Sequence, residues 1–387
     1  MKRLMGLFCL IILVSCTPVL DNQVTENIVE PILVEEPTGF DHVILEIINT
    51  KLQAIRNDDL DLYMSTVTNL DEYYYNEQGR WFKEMTKDEI KNLNLQVIST
   101  ETIDEQTAVV YIHQTHDTRE HFDFEYPLLF KKEEGIWKDH GYYFMIYETD
   151  RFIVKYMPDE SRVEEFSEYL NNAYDTLDTI FDEKADKSFE LKLFSDRELL
   201  RQRTVPSITW LFTGWAEPNE SLKMYTGHQY DGYQGTMQHE LVHHITIKIC
   251  NNNLDAWLLE GMAMYYGNIY FEENVKGERR AIDYHEMRKG IDYLESVDLY
   301  NISGEEVRNW YNNSYLITRY IIETYDHDTV MALFYEAGKK PFNNSVTNDN
   351  YYMDNRITTH EVIETVLGMT TDELSDQYKL WLDENFE

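Results

Sequence analysis

Met237, Leu241, Ile245 and Ile249 recur at every fourth position, an apolar stripe that only a buried α-helix can use. The same stretch carries His239, Glu240 and His243 in the order H-E-x-x-H. On a helix the two histidines stand one turn apart on one face, so both imidazoles can converge on a single ion. Glu240 lies beside that face, where its carboxylate reaches a water at the ion rather than the ion itself. Zn²⁺ suits imidazole and carboxylate donors, and three protein ligands leave it an open position. A fold built around this helix must therefore bring a third donor to it.

The continuation H-x-x-G-x-x-H is excluded, because Thr246 and Ile249 occupy the positions of its glycine and its third histidine. Downstream, Trp257-Leu258-Leu259-Glu260-Gly261-Met262-Ala263-Met264-Tyr265 predicts a second helix, with Asp255 as N-cap and Gly267 as its stop. Glu260 follows after room for the first helix to finish, a loop through Asn251-Asn252-Asn253 and a return. The other carboxylates nearby, Asp255, Glu272 and Glu273, lack a matching helical context. Gly261 is expected to let the two ligand helices approach closely. Trp257 and Tyr265 read as core residues, and His244 sits about 100° around the helix from His243.

With H-E-L-V-H-H at 239–244 and W-L-L-E-G-M-A-M-Y at 257–265, the chain resembles the gluzincin peptidases, most closely the peptidase MA-like family. The resemblance implies a zincin-like domain, one Zn²⁺ held by His239, His243 and Glu260, Glu240 as general base, and a peptide or protein substrate. Helical text like that at 315–325 and 368–381 also fits the family. The interval before Glu260 is shorter than in thermolysin-like members, and the Gly-x-Met-Glu-Asn motif of the aminopeptidase relatives is absent. Related enzymes place a tyrosine or histidine as oxyanion donor; Tyr315 is the candidate, since Asn312-Asn313-Ser314-Tyr315 is expected to begin a helix. The segment Leu222–Gly227 is a candidate strand for pairing with an extended substrate.

Lys2 and Arg3 precede an apolar run from Leu4 to Val14, the length of a secretory h-region and too short to span a bilayer. It ends in Leu13-Val14-Ser15-Cys16, which resembles a bacterial lipobox. The expectation is a lipoprotein signal peptide at 1–15, lipid on Cys16, a tether at 16–39, and a chain anchored on the outer side of the cytoplasmic membrane by that lipid alone. Of three cysteines only Cys250 then remains in the folded part, so no internal disulfide is available.

Lys+Arg is 34 against Asp+Glu 71, a net charge of -37, which repels phosphate backbones and excludes a nucleic-acid partner. Hydrophobic residues make up 43% of the chain, enough for real cores. The fold class read from the pattern is α+β. In residues 40–148, Val43, Ile44, Ile47, Ile48, Leu52 and Ile55 share a helical face with Asp41 as N-cap, and a short helix follows at Leu60–Val67. Strands near Leu95–Thr100, Thr107–Gln114, Phe122–Lys131 and Trp137–Tyr147 come next, with a turn at Lys132-Glu133-Glu134-Gly135. That order resembles the NTF2-like cone. His113, His116 and His121 read as solvated.

Residues 150–387 form the second part, mainly helical in its C-terminal half. It opens with a strand at Phe152–Tyr156, a capping box at Ser161 and Glu164, a long amphipathic helix and a strand at Phe189–Phe194. Two other readings stay open beside a peptidase: a non-catalytic surface-binding lipoprotein with a structural or vestigial zinc site, and a zinc hydrolase of non-peptide amides.

Overall fold

Ile44, Ile48, Leu52 and Ile55 are all buried along one face of α1 (Gly39–Arg56), as their spacing requires. The computed structural model describes residues 39–182, 189–227, 232–267, 288–302 and 304–386. The signal peptide, Cys16, nearly all of the tether, and Glu272 and Glu273 lie outside them. Because α1 starts at Gly39, Asp41 falls in its first turn rather than at the cap, and its carboxylate accepts from Thr100. Two further helices follow, α2 (Leu60–Met64) and α3 (Glu72–Met85), capped by Asp59 and Asp71 through bonds from Leu62 N at 2.9 Å and Tyr74 N at 3.0 Å.

Four antiparallel strands form the first sheet in sequence order: β1 (Lys91–Asp104), β2 (Thr107–Asp117), β3 (His121–Glu133) and β4 (Ile136–Tyr142). The β3–β4 turn uses positive φ at Glu134 and Gly135. Val110, Ile112, Tyr126, Leu128 and Phe130 pack with the α1 stripe. The strand expected to run through Tyr147 stops at Tyr142. Gly141 adopts φ +95 with the Tyr74 ring against it, which turns the chain, and Met145–Glu148 becomes β5 of a second sheet. His113 and His121 are partly exposed and paired with Asp123 and Asp117. His116, by contrast, is fully buried and stacked on Phe122, and burial pushes its imidazole down to about 4.

The second sheet has the order β5-β6-β7-β9-β8. Its middle strands, β6 (Ile153–Tyr156), β7 (Glu190–Phe194) and β9 (Leu222–Tyr225), are parallel, and β5 and β8 (Gly214–Trp215) run antiparallel at the two edges. Every residue of β7 is buried, as a central parallel strand covered on both faces must be. The crossovers are α4 (Val163–Leu177) and α5 (Arg197–Thr204). The Ser161–Glu164 box does not form: Arg162 holds the cap position without a side-chain cap bond and ties itself to Glu165. Seven helices follow among the described residues: α6 (Tyr233–Ile249), α7 (Ala256–Gly267), α8 (Ile291–Ser296), α9 (Gly304–Tyr325), α10 (His327–Ala337), α11 (Tyr351–Leu367) and α12 (Thr371–Phe386). They share one core with α4 and the sheet. No helix among the described residues is long and apolar enough to cross a membrane.

Ion pairs join α3 to the second sheet. Glu77 meets Lys192 at 2.6 Å and Lys223 at 3.2 Å; Arg80 meets Glu220 at 2.7 Å and Glu217 at 2.9 Å; Asp71 meets Lys155 at 2.7 Å. Trp81 adds a bond from its indole N–H to the Gln202 carbonyl. Burial alone would raise the Glu77 carboxyl, but Lys192 and Lys223 hold it down at about 2. A depressed carboxyl contributes stability above its unfolded value near 4.5 and loses it as pH falls towards 2. Glu77→Ala is therefore expected to cost about 1–3 kcal/mol at pH 7, because Lys192 and Lys223 each lose one buried partner and keep only Glu190 and Glu220. The difference from the parent should shrink steadily below pH 4.5 in guanidinium unfolding curves.

Candidate metal centre

Met237 and Leu241 are fully buried on α6 and Ile245 nearly so, which fixes the opposite side of that helix towards α7. There the Nε2 atoms of His239 and His243 lie 3.1 Å apart. Glu260, on the first turns of α7, brings Oε2 to 3.2 Å from each of them. A tetrahedral zinc with bonds of about 2.0–2.1 Å sets its donors about 3.3 Å apart. The three side chains thus outline one face of such a tetrahedron, and the donor set fits the ion that the sequence implies. Among the described residues they are the one cluster of this kind.

The loop that returns the chain explains the short interval before Glu260. Asn251 and Asn252 adopt φ 51 and 58, a left-handed pair that asparagine tolerates and most residues do not. Their side chains and that of Asn253 are tied to the carbonyls of Gly338, Asn343 and Pro341. Asp255 accepts from Trp257 N at 3.4 Å as the cap expectation requires, and burial next to Glu295 raises its carboxyl to about 6. It takes no part in the cluster.

Gly261 does not separate the two ligand helices. A side chain there would strike Thr318 and the Ser314 carbonyl, so its bareness serves α7 against α9. The close approach of α7 to α6 falls instead at Gly267, where a methyl would stand 2.8 Å from the His239 Cβ and 2.9 Å from its Cα. His244 packs its ring on Phe189, 5.0 Å between centroids.

Glu240 is buried beside this cluster, packed so closely on Gly214 of β8 that any side chain at that position would collide with its carboxylate. Burial, with Glu260 and Glu217 adding to it against His239, lifts the Glu240 carboxyl to about 8. Glu260 moves the other way: burial would raise it, but His243 and the hydrogen bonds from both imidazoles hold it well below the usual carboxylate range. Two carboxyls at one site are thereby driven apart.

The hydroxyl that reaches this group belongs to Tyr311, which donates to Glu260 Oε1 at 3.3 Å. Tyr315 packs on Tyr265, 6.3 Å between ring centroids, and takes a hydrogen bond from Arg319. The helix carrying both begins at Gly304 rather than Asn312, which puts Tyr311 a full turn nearer the ligands on the same face. Strand β9 is flanked by β7 and β8, so it offers no free edge to a substrate; β8 is the edge strand. Sequence reading missed Tyr311 and Gly214, and it took Gly267 only as the helix stop, which it is, without its approach to His239. The acidic first turn at Glu305 and Glu306 was the one signal of where α9 starts.

No protein-family model matches the chain, and no curated protein does either. Among solved structures it is similar to the crystal structure of an NTF-2 like protein of unknown function from Shewanella oneidensis MR-1, with 14% identity, 25% of this chain and 92% of that chain covered, and a TM-score of 0.23. A likeness at that score carries no argument about activity.

Gly267→Ala tests the helix approach. It is expected to leave the fold intact and to weaken zinc binding about tenfold, since overpacking of ~1–3 kcal/mol falls on the His239 backbone. Titration against a competing chelator reads this, and an unchanged affinity would show that the contact has slack.

Proposed function

We propose that the chain is a zinc metallopeptidase of the gluzincin type, with one Zn²⁺ held by His239, His243 and Glu260. The single observation behind this reading is that three donors from two helices converge within 3.2 Å while a fourth, buried carboxylate, Glu240, stands beside them without joining them. A purely structural site has no need of that neighbour. On this reading the second sheet and the helices after it are a zincin-like domain, and the N-terminal helices and first sheet an NTF2-like one. Lipid on Cys16 would hold the protein outside the bacterial membrane.

Zinc, when bound, supplies Lewis acidity and brings the pKa of a water towards neutrality. Glu240 takes the proton from the attacking water and returns it to the leaving amine, the general-base role its place beside the cluster allows. The Tyr311 hydroxyl donates to Glu260, and by turning its one O–H from that carboxylate to a developing oxyanion it would take the role expected of Tyr315. An extended substrate would pair with the edge strand β8, next to Glu240.

Glu240→Gln should retain one zinc per chain by elemental analysis and lose peptide hydrolysis by a factor of about 10²–10⁴. His239→Ala should lose the metal as well. Tyr311→Phe should lower kcat by about 10²-fold with KM little changed, whereas Tyr315→Phe should leave kcat near the parent value. Chelator-sensitive digestion of a mixed peptide library decides the class: cleavage of other amides alone would favour a non-peptide hydrolase, and full activity in Glu240→Gln would overturn the assigned base.

A further inference from the structure

A cavity of about 130 Å³ lies between α3, the β3–β4 hairpin and the second sheet, away from the zinc ligands, and its lining is cationic. In a chain of net charge -37, Lys131, Lys155, Lys192, Lys223 and Arg203 face it against the carboxylates of Asp71 and Glu77. Three of those cations are neutralised locally. Lys155 pairs with Asp71 and Glu190, Lys192 with Glu77 and Glu190, and Lys223 with Glu77 and Glu220.

Arg203 is not. Its guanidinium lies over the rings of Trp81 at 5.2 Å and Tyr126 at 4.7 Å, and among the described residues it has no ion pair or hydrogen bond. The carboxylate whose charge it feels, Asp139, is already held by Lys51 at 2.9 Å and by the Gly141 N–H at 2.8 Å. Cation–π contacts engage the faces of the guanidinium plane and leave its in-plane N–H donors unused. Arg203 is half-buried, and its unused donors are open to the cavity it lines, where a counter-charge would pair with them. Lys131 stands exposed at the rim, also without a partner among the described residues.

From this geometry we infer that the cavity binds a small oxyanion, a carboxylate or a phosphate, gripped at its floor by Arg203 and drawn in by Lys131. A planar guanidinium fork matches two oxygens of either group. A space of about 130 Å³ admits an anion of a few heavy atoms. The inference is independent of the peptidase reading.

Calorimetric titration of the full chain with phosphate, sulfate, acetate and succinate, against chloride at matched ionic strength, tests it. The His239→Ala chain is run alongside, so that binding at the metal centre is told apart. Saturable one-site binding of an oxyanion is expected in both chains, weakened about tenfold or more in Arg203→Met and roughly threefold in Lys131→Ala. Whichever of the phosphate and carboxylate arms binds tighter identifies the source. No saturable binding beyond chloride, binding lost with His239, or binding unchanged in the Arg203 and Lys131 variants overturns the site. If Arg203→Met does not fold, Arg203→Lys, which keeps charge and removes the fork, decides with Lys131→Ala: parental affinity in both overturns it.

Discussion

A carboxylate and two imidazoles cannot be held 3.2 Å apart on separate helices unless the helices are fixed first. The Glu260 carboxylate between His239 and His243 is the contact around which the second part of the fold is arranged. Four features fix it: the apolar stripe of α6, the left-handed asparagines between α6 and α7, the bare Gly267 against His239, and α9 lying on Gly261. Each acts on backbone placement rather than on the ligands themselves.

The electrostatics are arranged in two separate compartments. At the His239–His243–Glu260 cluster, burial raises the Glu240 carboxyl while the two imidazoles hold that of Glu260 down. Between α3 and the second sheet, by contrast, acids and lysines are matched nearly one to one, and pairing rather than titration is the outcome. Among the described residues, the buried acids of this seam are met by cations.

The sequence made legible whatever follows from regular spacing. The α1 stripe, three strands of the first sheet, α6 and α7 came from periodicity and are present, whereas the strand expected to reach Tyr147 ends at Tyr142; His239, His243 and Glu260, taken from a motif and a resemblance, come together in one cluster. What it did not disclose depends on polar or tertiary causes. Helix α3 was invisible because its buried face carries Glu77, Gln78 and Glu84, acids and amides that a hydrophobic pattern counts as solvent. Tyr311 and Tyr315 share a helical face, so spacing alone does not choose between them; the start of α9 does. The role given to Gly261 belonged to Gly267, since a glycine reveals that something is close but not what. His116 looked like its exposed neighbours until Phe122 covered it.

The seam between α3 and the second sheet has an evolutionary consequence. Modules joined by a linker can be exchanged one for another, each bringing its own finished surface. Here Glu77, Arg80, Trp81 and Asp71 are the missing halves of pairs whose other halves sit on β6, β7, β9, α5 and the loops beside them. Recombination that swapped the N-terminal layer would orphan all of them in one step, so the two parts are expected to travel through descent as a single inherited block.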